Sequence, residues 1–152
     1  METITCIDKE GNSNEYYFYL IPNILNGMFG HEVKIFSIET LNYGRCFPIL
    51  IYHVSDFEIK IKNIHHSDYP EFKAKGIPEV IIPKLSKLFF KDIISCSNEK
   101  AFQHFENEGR TENADKYWKR LVNKGAAFFE NEKNIFRFKR FIPEPVSTKN
   151  NL

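Results

Sequence analysis

The 152-residue chain has almost no excess of charge of either sign, since 21 Lys and Arg against 20 Asp and Glu leave a net charge of +1. Without a basic excess there is no protein-wide field to recruit nucleic acid or an anionic membrane, so any anion site must be local. The many aromatic residues suggest stacking on single-stranded nucleic acid, but the basic groove that such binding needs is missing. Long apolar runs are absent too. Nothing approaches the roughly 20 residues of a membrane span, and the opening METITCIDKEGNSNEYYFYLIP lacks a basic segment followed by an apolar core. The expectation is a cytoplasmic protein with no membrane partner. Cysteine is scarce: Cys6, Cys46 and Cys96 are odd in number and far apart, without the close pairing of a zinc knuckle or redox pair, and read as reduced thiols in the core. With no internal repeat and no low-complexity tract, the chain reads as one domain over residues 1–142. Residues 143–152 form a polar tail carrying Pro143 and Pro145.

What is present divides by period. The first half is rich in aromatic and β-branched residues broken at EGNSN, NGMFGH, NYGR and HVSD, which predicts strands. DFEIKIKNI alternates strictly, with Phe57, Ile59 and Ile61 on one face and Glu58, Lys60 and Lys62 on the other. YYFYLIPNIL fits a buried strand or a short helix ending before Pro22, and strand is the better reading.

In the second half the apolar residues fall at helical spacing. Ile77, Val80, Ile81, Leu85, Leu88 and Phe89 predict a helix from about Ile77 to Phe90, with Pro78 tolerated in the first turn and Pro83 expected to kink the interior. DIISCS follows as a buried strand. Thr111 then caps a helix whose apolar face is Ala114, Tyr117, Trp118, Leu121 and Val122, and Gly125 is placed to end it in a left-handed conformation. AAFFEN and NIFRFKRF read as a closing hairpin turning at NEKN. Strands, helix, strand, helix and two strands make a mixed α/β domain.

The stretch YPEFKAKGIPEVIIPKL sets a glycine directly before a helix start, where backbone N–H groups and the helix dipole can cradle a phosphate. YPEFKAKGIP resembles the coenzyme A-binding segment of the GNAT acetyltransferase superfamily, with its Q/R-x-x-G-x-G/A core. Lys73 falls on the Q/R position, Gly76 on the first glycine and Pro78 on the final Gly/Ala. ENADKYWKRLVNKGAAFF resembles a later helix of that superfamily, with Ala114, Tyr117 and Trp118 on its Ala, Phe and Tyr positions. The resemblance spans roughly residues 57–140.

The resemblance implies a GNAT-like mixed central sheet with flanking helices. It also implies acetyl-CoA as cofactor, held by Lys73, Ala74, Lys75, Gly76, Ile77 and Pro78, and transfer of acetyl to an unidentified amine. A catalytically silent module of that fold, still able to bind coenzyme A, is the alternative. Pro78 removes one amide donor from the cradle, and Trp118 stands where many members carry the tyrosine that protonates the departing thiolate. An amine acceptor with a pKa of about 10 needs a base near neutral pH, and the resemblance offers Glu58, His65 and His66 for it. A metal at His65-His66 is disfavoured, because adjacent strand residues point to opposite faces. Tyr117 reads as a core aromatic, since it lies about 100° around the helix from position 118.

Overall fold

The computed structural model describes residues 2–64 and 69–143, without the side chain of Asn63. Eight strands form one sheet: β1 (Glu2–Ile7), β2 (Ser13–Leu25), β3 (Met28–Ser37), β4 (Phe47–Ser55), β5 (Glu58–Ile64), β6 (Asp92–Ile94), β7 (Phe128–Glu130) and β8 (Ile135–Phe138), in the order β1-β2-β3-β4-β5-β6-β8-β7. The first five are antiparallel neighbours, joined by short turns such as the one at Asn26-Gly27, where both residues have positive φ. Between β5 and β6 the pairing is parallel, so the chain must cross back over the sheet, and α1 (Ile77–Phe89) makes that crossing. α2 (Glu112–Asn123) precedes the β7–β8 hairpin.

The alternation of β1–β5 assigns the two faces. Ile4, Cys6, Tyr16, Phe18, Val33, Ile35, Ile49, Ile51, Ile59 and Ile61 turn one way and share a core with Ile81, Ile82 and Leu85 of α1 and with Trp118 and Leu121 of α2. Trp118 stacks on Phe136 of β8, with ring centroids 5.8 Å apart and planes within 8°. Both helices therefore lie on the same face, and Arg120 of α2 donates to Glu79 of α1 at 2.5 Å.

This corrects the expectation of a GNAT-like α/β sheet with flanking helices. The protein is mainly an eight-stranded sheet with two short helices on one side. The physical reason lies in the N-terminal half. Its aromatic and β-branched residues alternate at period 2 and offer no apolar stripe at helical period, and YYFYLIPNIL is absorbed into the 13-residue strand β2. Among the described residues the far face is covered over β5, β6 and the Tyr52 end of β4, by the loop at 98–110, whose Phe105 packs on Tyr52. There Lys60, fully buried, bonds to the Phe102 carbonyl at 3.3 Å, to His104 Nδ1 at 2.6 Å and to Glu108 Oε2 at 2.7 Å. Lys60 was expected on the polar face of the strand, and that face is here covered. Phe57, expected inside, is exposed.

The other elements agree with the sequence. α1 spans Ile77–Phe89 as expected, and at Pro83, where a kink was expected, the helix is assigned without a break. Thr111 Oγ1 accepts from Ala114 N at 3.1 Å at the start of α2. Gly125 follows α2 with φ +74°, its N–H bonded to the Val122 carbonyl and that of Ala126 to the Leu121 carbonyl. Cys6 and Cys96 are buried and Cys46 is half-buried, all with free thiols.

At the far end of α1, His31 and His53 pack against Phe29 and Phe89. His53 Nδ1 lies 2.9 Å from Lys91 Nζ, while His53 Nε2 and His31 Nδ1 are buried without hydrogen-bond partners. Burial, then the Lys91 charge and His31, push the His53 pKa down to about 4 from 6.5. The folded state thus takes up the proton less readily than the unfolded chain. This contribution to stability is complete above about pH 6.5 and is lost as pH falls towards 4. Urea unfolding at pH 7 and pH 4.5 should show a His53-dependent loss of about 1 kcal/mol, reduced because solvent screens this part-exposed imidazole, and flattened in His53→Gln. An equally steep loss in that variant would assign the acid sensitivity to other groups.

Candidate functional site

β5 pairs with β6 only at Glu58↔Asp92, Ile59↔Ile93 and Lys60↔Ile94. β6 ends there, whereas β5 continues to Ile64 paired with β4 alone. The strands thus part after Lys60, because β6 is drawn away into its bonds with β8: Ser95 N–H donates to the Phe136 carbonyl at 3.0 Å and Phe136 N–H to Ser95 Oγ at 2.9 Å. Cys96 Sγ sits in the fork and donates to the Ile61 carbonyl at 3.3 Å. Burial first, and the Glu108 carboxylate second, raise the Cys96 pKa to about 11, so this thiol is neutral and no nucleophile.

The fork opens into a cleft of about 240 Å³. Ile61, Lys62 and Ile64 form one wall, the 72–78 loop and the start of α1 a second, and Thr111, Ala114, Tyr117 and Trp118 of α2 a third. The loop is held from the sheet side. Tyr16 Oη donates to the Glu71 carbonyl at 2.6 Å, Arg45 Nε lies 2.7 Å from Glu71 Oε1, and the Arg45 guanidinium sits over the rings of Tyr43 and Tyr69. Phe72 is buried against Tyr16 and Phe47. Ala74 and Gly76 both have left-handed backbones, with φ 55° and 76°. Gly76 is the residue before α1 and makes no side-chain cap, Pro78 brings no N–H, and the Glu79 carboxylate stands beside the helix start, 3.6 Å from where a Gly76 Cβ would be. A Cβ at Gly76 would also stand 3.3 Å from the Ile7 carbonyl, which makes glycine a requirement of the loop itself.

The lining is one-signed. Lys62, Lys73, Lys75, Arg110, Lys116 and Arg120 border the cleft, with no carboxylate among the lining residues. Four of these cations are engaged outside it: Lys75 with Asp8 at 3.8 Å, Arg110 with Asp115 at 2.8 Å, Lys116 with Glu112 at 3.6 Å and Arg120 with Glu79 at 2.5 Å. Lys62 and Lys73 make no ion pair with a described residue. The cleft therefore offers an apolar interior and a positive mouth, beside a stretch of β5 whose Ile61 and Lys62 carbonyls are met by the Cys96 thiol at 3.3 and 3.5 Å and not by a strand.

All six residues expected to hold the cofactor, Lys73, Ala74, Lys75, Gly76, Ile77 and Pro78, line this cleft. Glu58 is not brought to it. That carboxylate is on the opposite sheet face, at the start of β5, where it accepts from Arg137 Nη2 at 2.7 Å and from Ser55 Oγ at 3.0 Å. Burial opposes its ionisation, but these hydrogen bonds outweigh it and hold the group below its ordinary pKa, the reverse of what a base needs. His65 and His66 lie outside the described residues. Tyr117 is buried in the core, and it also lines the cleft, which the helical angle alone did not suggest. Burial raises its pKa, so the hydroxyl stays protonated. Sequence reasoning missed Phe47, Ile61, Ile64, Phe72 and Cys96 as lining residues. Their patterns signal only burial, and the fork depends on where β6 stops. No family model, curated protein or solved structure matches the chain.

Proposed function

We propose that the cleft binds acetyl-CoA and that the protein transfers the acetyl group to an amine. The parting of β5 and β6 beside the uncapped start of α1 carries this reading. A pantetheine arm has amides that can bond to β5 beyond Lys60 as an added strand would, in place of the weakly donating Cys96 thiol, and the coenzyme's diphosphate would meet the uncapped helix start at Gly76. The neutral thiol of Cys96 argues for direct attack of the amine on the thioester, with no acyl-cysteine intermediate. Carbon–nitrogen bond formation then accompanies carbon–sulfur cleavage, the nitrogen gives up its proton to water, and the coenzyme leaves as a thiolate, whose cysteine-like pKa of about 8.5 makes an anion tolerable.

Acetyl-CoA turnover with a panel of primary amines, followed by free-thiol release, tests transfer. Thiol release that depends on the amine supports it. Stoichiometric binding without amine-dependent release would leave a coenzyme-binding module, the reading that the engagement of Glu58 by Arg137 favours. The mouth should behave as an ionic site. Lys62→Ala with Lys73→Ala is expected to weaken acetyl-CoA binding roughly tenfold and to flatten its dependence on salt, measured by calorimetry between low and moderate ionic strength. Unchanged affinity and salt slope would show that both lysines are only solvated.

A further inference from the structure

Away from Tyr52, which lies under Phe105, the sheet face opposite the helices has no covering loop over β1–β4 among the described residues; Tyr17 is buried there only by its own neighbours, and the composition is not that of a solvated surface. Cross-strand pairing sets Tyr17 beside Phe36, Tyr19 beside Lys34 with Pro48 beyond it, and Ile21 beside Glu32 with Leu50 beyond it. Tyr17 stacks on Phe36 at 5.3 Å, with Tyr19 edge-on to both. Tyr19 and Ile21 are 44% and 41% exposed, values that water-facing serine or lysine would carry without cost. Around this centre the same face turns polar, with Thr3, Thr5 and Glu15 on one side and Asn23 on another. An apolar centre within a polar rim has the anatomy of a protein interface.

Its two charges identify the partner. Glu32 and Lys34 are both half-buried at the centre of the patch, two residues apart on β3, and neither has an ion-pair partner among the described residues. We infer that this face binds the same face of a second copy of this chain. A two-fold axis lying between the two faces and running across the strands at Val33 sets each Lys34 over the other copy's Glu32. It also lays the Tyr19–Lys34–Pro48 row on the Ile21–Glu32–Leu50 row. Face-to-face sheets pack about 10 Å apart, a gap that one lysine and one glutamate span together. Two pairs of opposite charge, otherwise idle, are thus satisfied by one symmetric contact. The helices and the cleft are on the opposite face, so the dimer forms whether or not the cleft binds coenzyme.

The test is sedimentation of the full chain over a concentration series, with Lys34→Glu and Glu32→Lys run alone and mixed. Wild type should be dimeric at about 100 µM, and each single variant should raise the dimer dissociation constant roughly tenfold or more by opposing like charges twice. An equimolar mixture should recover the dimer, because one variant presents two glutamates and the other two lysines. Recovery also shows that both variants are folded. A monomeric wild type, a dimer unaffected by either change, or a mixture that stays monomeric each overturns the inference.

Discussion

Glu108→Ala should lower the stability of the protein by about 3–5 kcal/mol and its melting temperature by roughly 10 °C. Glu108 is the anchor of the loop at 98–110. Its Oε2 accepts from Ser97 N–H and from Lys60 Nζ, both at 2.7 Å, and its Oε1 from His104 N–H at 2.8 Å. The side chains of Lys60 and Glu108 are both wholly withdrawn from solvent. Truncating the acid strands a buried ammonium with only a carbonyl and an imidazole to meet it, and frees three backbone donors, those of Ser97, His104 and Phe105. Lys60→Met with Glu108→Leu should cost much less than Glu108→Ala alone, because no charge is then left unpaired. Thermal unfolding of the variants measures both. If the single and double changes cost the same, the loop owes its position to packing of Phe105 on Tyr52 and not to the ion pair.

Ala114→Phe should abolish detectable acetyl-CoA binding, a loss of at least about a hundredfold, with the fold kept. Ala114 stands on the cleft wall of α2, one turn before Trp118, and its small side chain leaves the space opposite the edge of β5 open. A phenyl ring there occupies that space, and overpacking of this kind costs stability about 1–3 kcal/mol at most if part of the ring meets the core. Circular dichroism separates blockage from unfolding. A folded Ala114→Phe protein with wild-type affinity would place acetyl-CoA elsewhere.

Much of the chain was legible before the structure. Thr111 and Gly125 mark the ends of α2 by chemistry that acts within a few residues, and the strict alternation around Ile59 fixes β5. That residues 73–78 turn into a helix at Gly76 was legible for the same reason, since a glycine ahead of a helix is a local signal. What could not be read depends on distant residues. That both helices share one face follows from how α1 crosses between β5 and β6, and the fork follows from the point where Ser95 turns to Phe136. The burial of Lys60 depends on Glu108, 48 residues later, so alternation placed Lys60 on the correct side of the strand but could not see the loop that covers it. Glu58 suited a base by residue type and strand position, and only the folded chain shows Arg137 closing on it.

The most direct test is an amide ¹H–¹⁵N titration of the full chain with acetyl-CoA. An edge of β5 that accepts the pantetheine arm and a helix start that receives the diphosphate require saturable shifts at Ile61, Lys62, Ile64, Lys75, Gly76 and Ile77. Neighbouring changes should appear at Ala114 and Tyr117, with the signals of β1–β3 left in place. No shifts at saturating acetyl-CoA, or shifts that leave Ile61–Ile64 and Gly76 untouched, would contradict the assignment of this cleft.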